Sequence, residues 1–139
     1  MAAWDCPACG RRFARKGQGH ECSPAMSVEE YFSTGPPFER PIFDAIMAGL
    51  ATAGPVHIEP VSVGIFLKRA QSFAQLRPMT RWVAVSFSLR RRATHPLIVR
   101  KVEPYGERYH HVANVANADS VDDRLIELLT EAYLQAPPA

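Results

Sequence analysis

Between Glu59 and Glu103 the sequence has no aspartate or glutamate. A metal-dependent nuclease needs carboxylates clustered on its central strands to hold the ion, so this gap argues against that class of enzyme. Cysteine is scarce as well: Cys6, Cys9 and Cys22 are the whole complement, all within the first 22 residues, and any disulfide scheme leaves one unpaired. That fits metal ligation in a reducing cytoplasm better than a cross-linked secreted domain. Phosphate-cradling glycine loops are absent, and no serine sits in a G-x-S-x-G elbow, so neither a nucleotide loop nor a serine nucleophile is indicated. The longest uncharged stretch, residues 45–58, is broken by Gly49, Gly54, Pro55 and His57. It falls short of the roughly 20 apolar residues that span a bilayer. The start, Met1 to Asp5, lacks the basic residues and apolar run of a secretory signal. The expectation is a cytoplasmic protein without a membrane span.

What is present suits a folded chain. Its 139 residues, 47% hydrophobic and 22% charged, fit one compact domain with a small accessory element. Net charge is only +2, but it is unevenly spread. Residues 68–101 hold nine cations and no acid: Lys68, Arg69, Arg77, Arg81, Arg90, Arg91, Arg92, Arg100 and Lys101. Residues 102–139 carry seven acids against Arg108 and Arg124. A basic middle and an acidic end bear on partners.

Hydrophobic spacing predicts an α+β fold, an antiparallel sheet of about five or six strands with flanking helices, preceded by a small zinc knuckle. The expected divisions are 1–24 for the knuckle, 25–136 for the α+β domain and 137–139 for a tail. Ser27 and Glu30 form an S-x-x-E capping box for a short helix that ends at Gly35-Pro36-Pro37. Pro41 suits the first turn of a second helix, with Ile42, Phe43, Ile46, Met47 and Leu50 on one face, stopped by Gly54-Pro55. The period then changes to two: Val83, Val85, Phe87 and Leu89 alternate with Ala84, Ser86 and Ser88. Similar runs occur near 56–60, 64–69, 72–78, 97–103 and 108–116, with Pro104-Tyr105-Gly106-Glu107 as a hairpin turn. Short links favour antiparallel neighbours. A final helix should be capped by Ser120, with Val121, Leu125, Leu128, Leu129 and Ala132 as its apolar stripe.

Cys6-Pro7-Ala8-Cys9 is a C-x2-C knuckle that presents two thiolates to one metal. His20 and Cys22 supply the other side, because residues i and i+2 of an extended segment point the same way. Seventeen residues cannot bury a core, and a structural zinc, worth on the order of 10 to 16 kcal/mol, can replace one. The bland alternative is three free thiols beside a solvated histidine. Four protein ligands leave no open position, which argues against catalysis at the metal.

The run W-D-C-P-A-C-G-R-R-F-A-R-K-G-Q-G-H-E-C from Trp4 to Cys22 resembles an uncharacterised bacterial family that joins such a knuckle to a small C-terminal domain, domain of unknown function 5655. Pro36-Pro37, Phe43-Asp44, Gly54-Pro55-Val56, the Phe73 to Pro78 strand and the Leu129 to Tyr133 helix end extend the likeness over nearly the whole chain. The resemblance implies Cys6, Cys9, His20 and Cys22 as metal ligands, supplies no catalytic residues, and points towards recognition, since similar domains recur beside other modules. Phe13 stands four residues after the second cysteine, as in two-Cys two-His fingers, but the later histidine pair is missing, so a base-reading helix is not implied.

The nine cations can make a positive sheet face that holds phosphates, extended by Arg11, Arg12, Arg15 and Lys16. The competing reading scatters them over solvated faces or pairs them with the acidic helix. Trp82, Phe66 and Phe73 can stack bases or fill the core. His110 and His111 are strand neighbours on opposite faces, so they cannot jointly serve one site, and His57 and His95 have nothing obvious converging on them. The favoured function is a non-enzymatic zinc-containing protein that contacts nucleic acid. A protein-interaction adaptor is the alternative, and an enzyme of unassigned chemistry the third.

Overall fold

The computed structural model describes residues 3–20, 22 and 26–138. After two short strands, β1 (Trp4–Asp5) and β2 (Arg12–Phe13), come helices α1 (Val28–Phe32) and α2 (Glu39–Leu50). The capping box of α1 is in place: the Glu30 amide donates to the Ser27 hydroxyl at 3.0 Å and the Ser27 amide to the Glu30 carboxylate at 3.4 Å. Ile42, Phe43, Ile46 and Leu50 form the buried stripe of α2, and Met47 packs at its margin.

The main sheet is antiparallel throughout and has six strands in the order β3-β4-β5-β6-β8-β7. Its strands are β3 (His57–Val61), β4 (Gly64–Lys68), β5 (Ser72–Pro78), β6 (Val83–Leu89), β7 (Glu103–Tyr105) and β8 (Arg108–Val115). Strict alternation of buried and half-buried residues along β6 makes it the clearest example of period two. Ile65, Leu67, Leu76, Val85, Phe87 and Ala113 turn one face onto α2 and the last helix, α3 (Asp123–Gln135). Each large aliphatic buried there contributes about 1.5 to 3 kcal/mol. The opposite, outer face carries Phe66, Gln75, Ser86, Ser88 and His110 across successive strands.

Three local expectations need correction. Residues 97–103 are not a strand; only Glu103–Tyr105 pairs with β8. Leu97 and Ile98 instead plug the core margin from a loop, in which the Ile98 amide turns back to the His95 carbonyl at 2.9 Å. The β7–β8 turn is Gly106-Glu107 alone, since Tyr105 pairs with Arg108 and Gly106 takes φ 61°. Helix α3 is capped by Asp122, whose carboxylate accepts the Leu125 amide at 2.8 Å, while Ser120 lies in a 3-10 turn (Ala118–Ser120) capped by Asn117. Among the described residues no helix is long and apolar enough to cross a membrane.

Candidate metal centre

The pairing of β1 with β2 sets Trp4 opposite Phe13 and brings the chain round a tight turn from Cys6 to Gly10. The Gly10 amide donates to the Cys6 carbonyl at 2.7 Å and the Cys6 amide to the Arg11 carbonyl at 2.9 Å. Gly10 sits at φ 73°, a conformation side-chain-bearing residues rarely adopt. That turn aims both knuckle sulfurs inward, and the segment returning through His20 and Cys22 closes the cluster.

The ligand atoms of Cys6, Cys9, His20 and Cys22 all lie within 4.8 Å of one another. The Cys6 and Cys22 sulfurs are 3.8 Å apart, and His20 Nε2 is 3.4 Å from the Cys9 sulfur and 3.1 Å from that of Cys22. A tetrahedron with metal–sulfur bonds of about 2.3 Å and a metal–nitrogen bond of about 2.0 Å has edges of about 3.8 and 3.5 Å. The three shortest of these spacings lie near those edges, so the four atoms are close enough to hold one ion. His20 Nδ1 donates to the Gln18 carbonyl at 2.7 Å, which leaves the Nε2 lone pair for the metal. Without an ion the thiols compete. Burial raises Cys6, but amide donors from Cys9 and Ala8 and contacts with the Cys9 and Cys22 thiols bring it down to about 6. Cys22, touching that thiolate, is pushed up to about 11. A dication among them removes the conflict. An ion held by all four protein donors would have no open coordination position.

The cluster is built onto the sheet. Phe13 stacks on the His20 ring with centroids 4.0 Å apart, and Lys68 Nζ lies 4.8 Å from the Phe13 centroid. Beneath them Glu59, 1% exposed, gathers four donors: the Arg12 amide at 2.6 Å, His57 Nε2 at 2.9 Å, Lys68 Nζ at 3.0 Å and Arg11 Nε at 3.1 Å. Lys68 also donates to the Arg12 carbonyl at 2.7 Å. Burial raises the Glu59 pKa, but the Arg12 amide, Lys68 and Arg11 outweigh it and hold the carboxyl below its ordinary value. Lys68 is lowered, because burial and the neighbouring guanidiniums exceed what one shared carboxylate returns. Geometry favours Glu59 as the anchor: it is the one acceptor for four donors, whereas Lys68 is one of several cations around it. Sequence reasoning missed Glu59 and His57, although two polar residues two apart in a run otherwise apolar, His57 and Glu59, were a signal that one face of β3 meets polar partners.

Two of the other histidines, His95 and His111, have both ring nitrogens engaged. His111 is fully buried; its Nδ1 donates to the Tyr109 carbonyl and its Nε2 accepts the Ala93 amide, so burial lowers its pKa and it stays neutral. His95 accepts the Leu97 amide at Nδ1 and donates from Nε2 to Asp122. His110 is on the outer face, exposed.

The nine cations divide. Lys68 pairs with Glu59, and Arg91 makes a two-pronged contact with Glu131 at 2.7 and 3.0 Å. Arg69 donates to the Tyr133 and Ala136 carbonyls at the end of α3, and Arg92 donates to the Val102 carbonyl. Arg77, Arg81, Arg90, Arg100 and Lys101 are exposed, with no acidic partner among the described residues. Arg77 and Arg81 flank the β5–β6 connection, while Arg90 follows the far end of β6, so these five do not form one patch.

No curated protein and no solved structure matches the chain. The family described as Domain of unknown function (DUF5655) matches residues 28–136, starting just after the knuckle and covering α1 to α3. The α+β sheet domain on which the metal cluster is mounted thus places the chain in the DUF5655 family.

Proposed function

We propose that this is a non-enzymatic, zinc-containing cytoplasmic binding protein that contacts nucleic acid. Three thiolates and one imidazole are a common donor set for structural zinc, and their close spacing supports that ion. The observation that carries the nucleic-acid reading is the acid-free stretch with five exposed cations, spread over both ends of β6 and not gathered in one patch, that are left without carboxylate partners among the described residues. Phosphates are the complementary partner for such charge. Commitment of both ring nitrogens of His95 and of His111 weighs against an enzyme built on them. A protein-interaction adaptor is favoured by one feature, the groove between α2 and α3 where Leu134 is 65% exposed beside Glu127 and Glu131.

Fluorescence anisotropy tests the proposal. Zinc-loaded protein is titrated against labelled single-stranded DNA, duplex DNA and RNA at low and near-physiological salt. Affinity should fall steeply with salt, and changing Arg77, Arg81, Arg90, Arg100 and Lys101 to glutamine should flatten the slope by about 0.7 to 0.9 for each phosphate no longer neutralised. Absence of binding to all three at low salt overturns it and leaves the adaptor.

A further inference from the structure

The outer face of the sheet is not flat. Ala74–Phe87 is the last pair between β5 and β6 at the end where β5 begins, so Ser72 and Phe73 have no ladder partner on β6. The β4–β5 register shifts at the same place, with Leu67 opposite Ala74 and Lys68 opposite Ser72, so that Phe73 of β5 is left over. Irregularities of this kind gather beside binding sites. Between the strands opens a cleft of ≈ 220 Å³ floored by Ala132 and Ala136 of α3. Its walls carry Ser72, Gln75, Ser86, Ser88, His110 and Arg108. Among the described residues no carboxylate lines it.

Arg108 is held in place by the Gln135 carbonyl at 3.2 Å, yet it has no acidic partner among the described residues. Tyr105, 79% exposed, stands at the mouth. Glu103 is the nearby acid, on the outer rim beside His110. At Gln71 and Ser72 the cleft meets a second hollow, roofed by the knuckle and lined by Phe13, Arg15, Gln18, Phe66 and Lys68, with no carboxylate among the described residues. From β4 to β8 the track crosses three strand spacings, about 14 Å.

Resting on the nucleic-acid reading above, we infer that this track is the seat of an unpaired strand, with one base stacked on Tyr105 at the cleft mouth and phosphates at Arg108 and Arg15. Cations at both ends, small hydroxyl residues between them and an exposed ring are what a sequence-tolerant single-strand site needs. A cleft of ≈ 220 Å³ beside one exposed ring suits a splayed-out, unpaired base, which separates this occupant from a duplex.

The test uses the zinc-loaded full chain and labelled ten-nucleotide oligothymidine and oligouridine, with a ten-base-pair duplex and thymidine monophosphate as competitors. Tyr105→Ala should weaken strand binding about tenfold while leaving thermal unfolding unchanged, since the ring is exposed. Arg15→Gln and Arg108→Gln should each weaken it and lower the salt slope by about 0.7. If the strand binds but Tyr105→Ala and Arg15→Gln bind as wild type, the site is wrong although the protein still binds nucleic acid. Preference for the duplex, or competition by the mononucleotide at the strand's own affinity, also overturns it. Failure of every oligonucleotide to bind overturns the underlying reading instead.

Discussion

Glu59→Gln removes the one negative charge shared by Arg11, His57, Lys68 and the Arg12 amide while keeping the side-chain shape. The Glu59 and Lys68 side chains are only 1% and 7% exposed, so removal of the carboxylate strands an ammonium that water cannot reach. Breaking one partner of such a buried pair costs about 3 to 5 kcal/mol. For a chain of 139 residues that is a fall in Tm of about 10 to 15 °C. Differential scanning calorimetry of the zinc-loaded proteins reads it directly. Adding Lys68→Met takes away the stranded charge, and the double variant should recover several degrees, because an apolar replacement of a whole ion pair is often tolerated. A Tm for Glu59→Gln within about 3 °C of wild type, or a double variant less stable than the single, refutes Glu59 as the anchor between knuckle and sheet.

Gly64→Ala should destabilise by about 1 to 3 kcal/mol in urea unfolding, because the new methyl would meet the Leu76 carbonyl oxygen of β5, a backbone atom that cannot rotate away. Asp122→Ala should cost about 1 kcal/mol at pH 7 by removing the cap of α3. The His95 contact holds Asp122 below its ordinary value of 3.8, so its share of stability is present above that pH and disappears as pH falls through the lower folded value. The gap between wild type and Asp122→Ala should therefore narrow in urea melts at pH 3. Glu39 behaves oppositely: burial raises its pKa despite the Tyr31 hydroxyl, so folding favours the protonated form and stability drops as pH climbs from the unfolded value to the folded one. Glu39→Gln should match or exceed wild type at pH 8, with the advantage vanishing near pH 4.

Much of the scaffold was legible because local chemistry and tertiary packing agree there. Ser27 and Glu30 cap α1 as their spacing requires, the alternation from Val83 to Leu89 is β6, and the stripe of Leu125, Leu128 and Leu129 is the buried face of α3. Leu97 and Ile98 misled because an apolar pair serves equally as strand or plug; they follow Pro96 and a turn at His95, and the core margin takes them without a ladder. Ser120 and Asp122 are both good caps, and the choice fell to the one that His95 also anchors. Charge was the least legible property. Nothing in the spacing of nine cations tells that Lys68 and Arg91 meet carboxylates, or that Arg69 and Arg92 end on carbonyl oxygens. Those partners are fixed by strand register and by the docking of α3, both non-local. The Cys/His cluster was readable because four residues within a seventeen-residue segment need no distant partner to come together.

X-ray absorption at the zinc edge of the full chain, loaded with one equivalent of zinc, tests the structural-zinc account most directly. Three sulfurs at about 2.3 Å and one nitrogen at about 2.0 to 2.1 Å are predicted, with one sulfur fewer in Cys22→Ser. A shell dominated by oxygen, or one unchanged by that substitution, contradicts it.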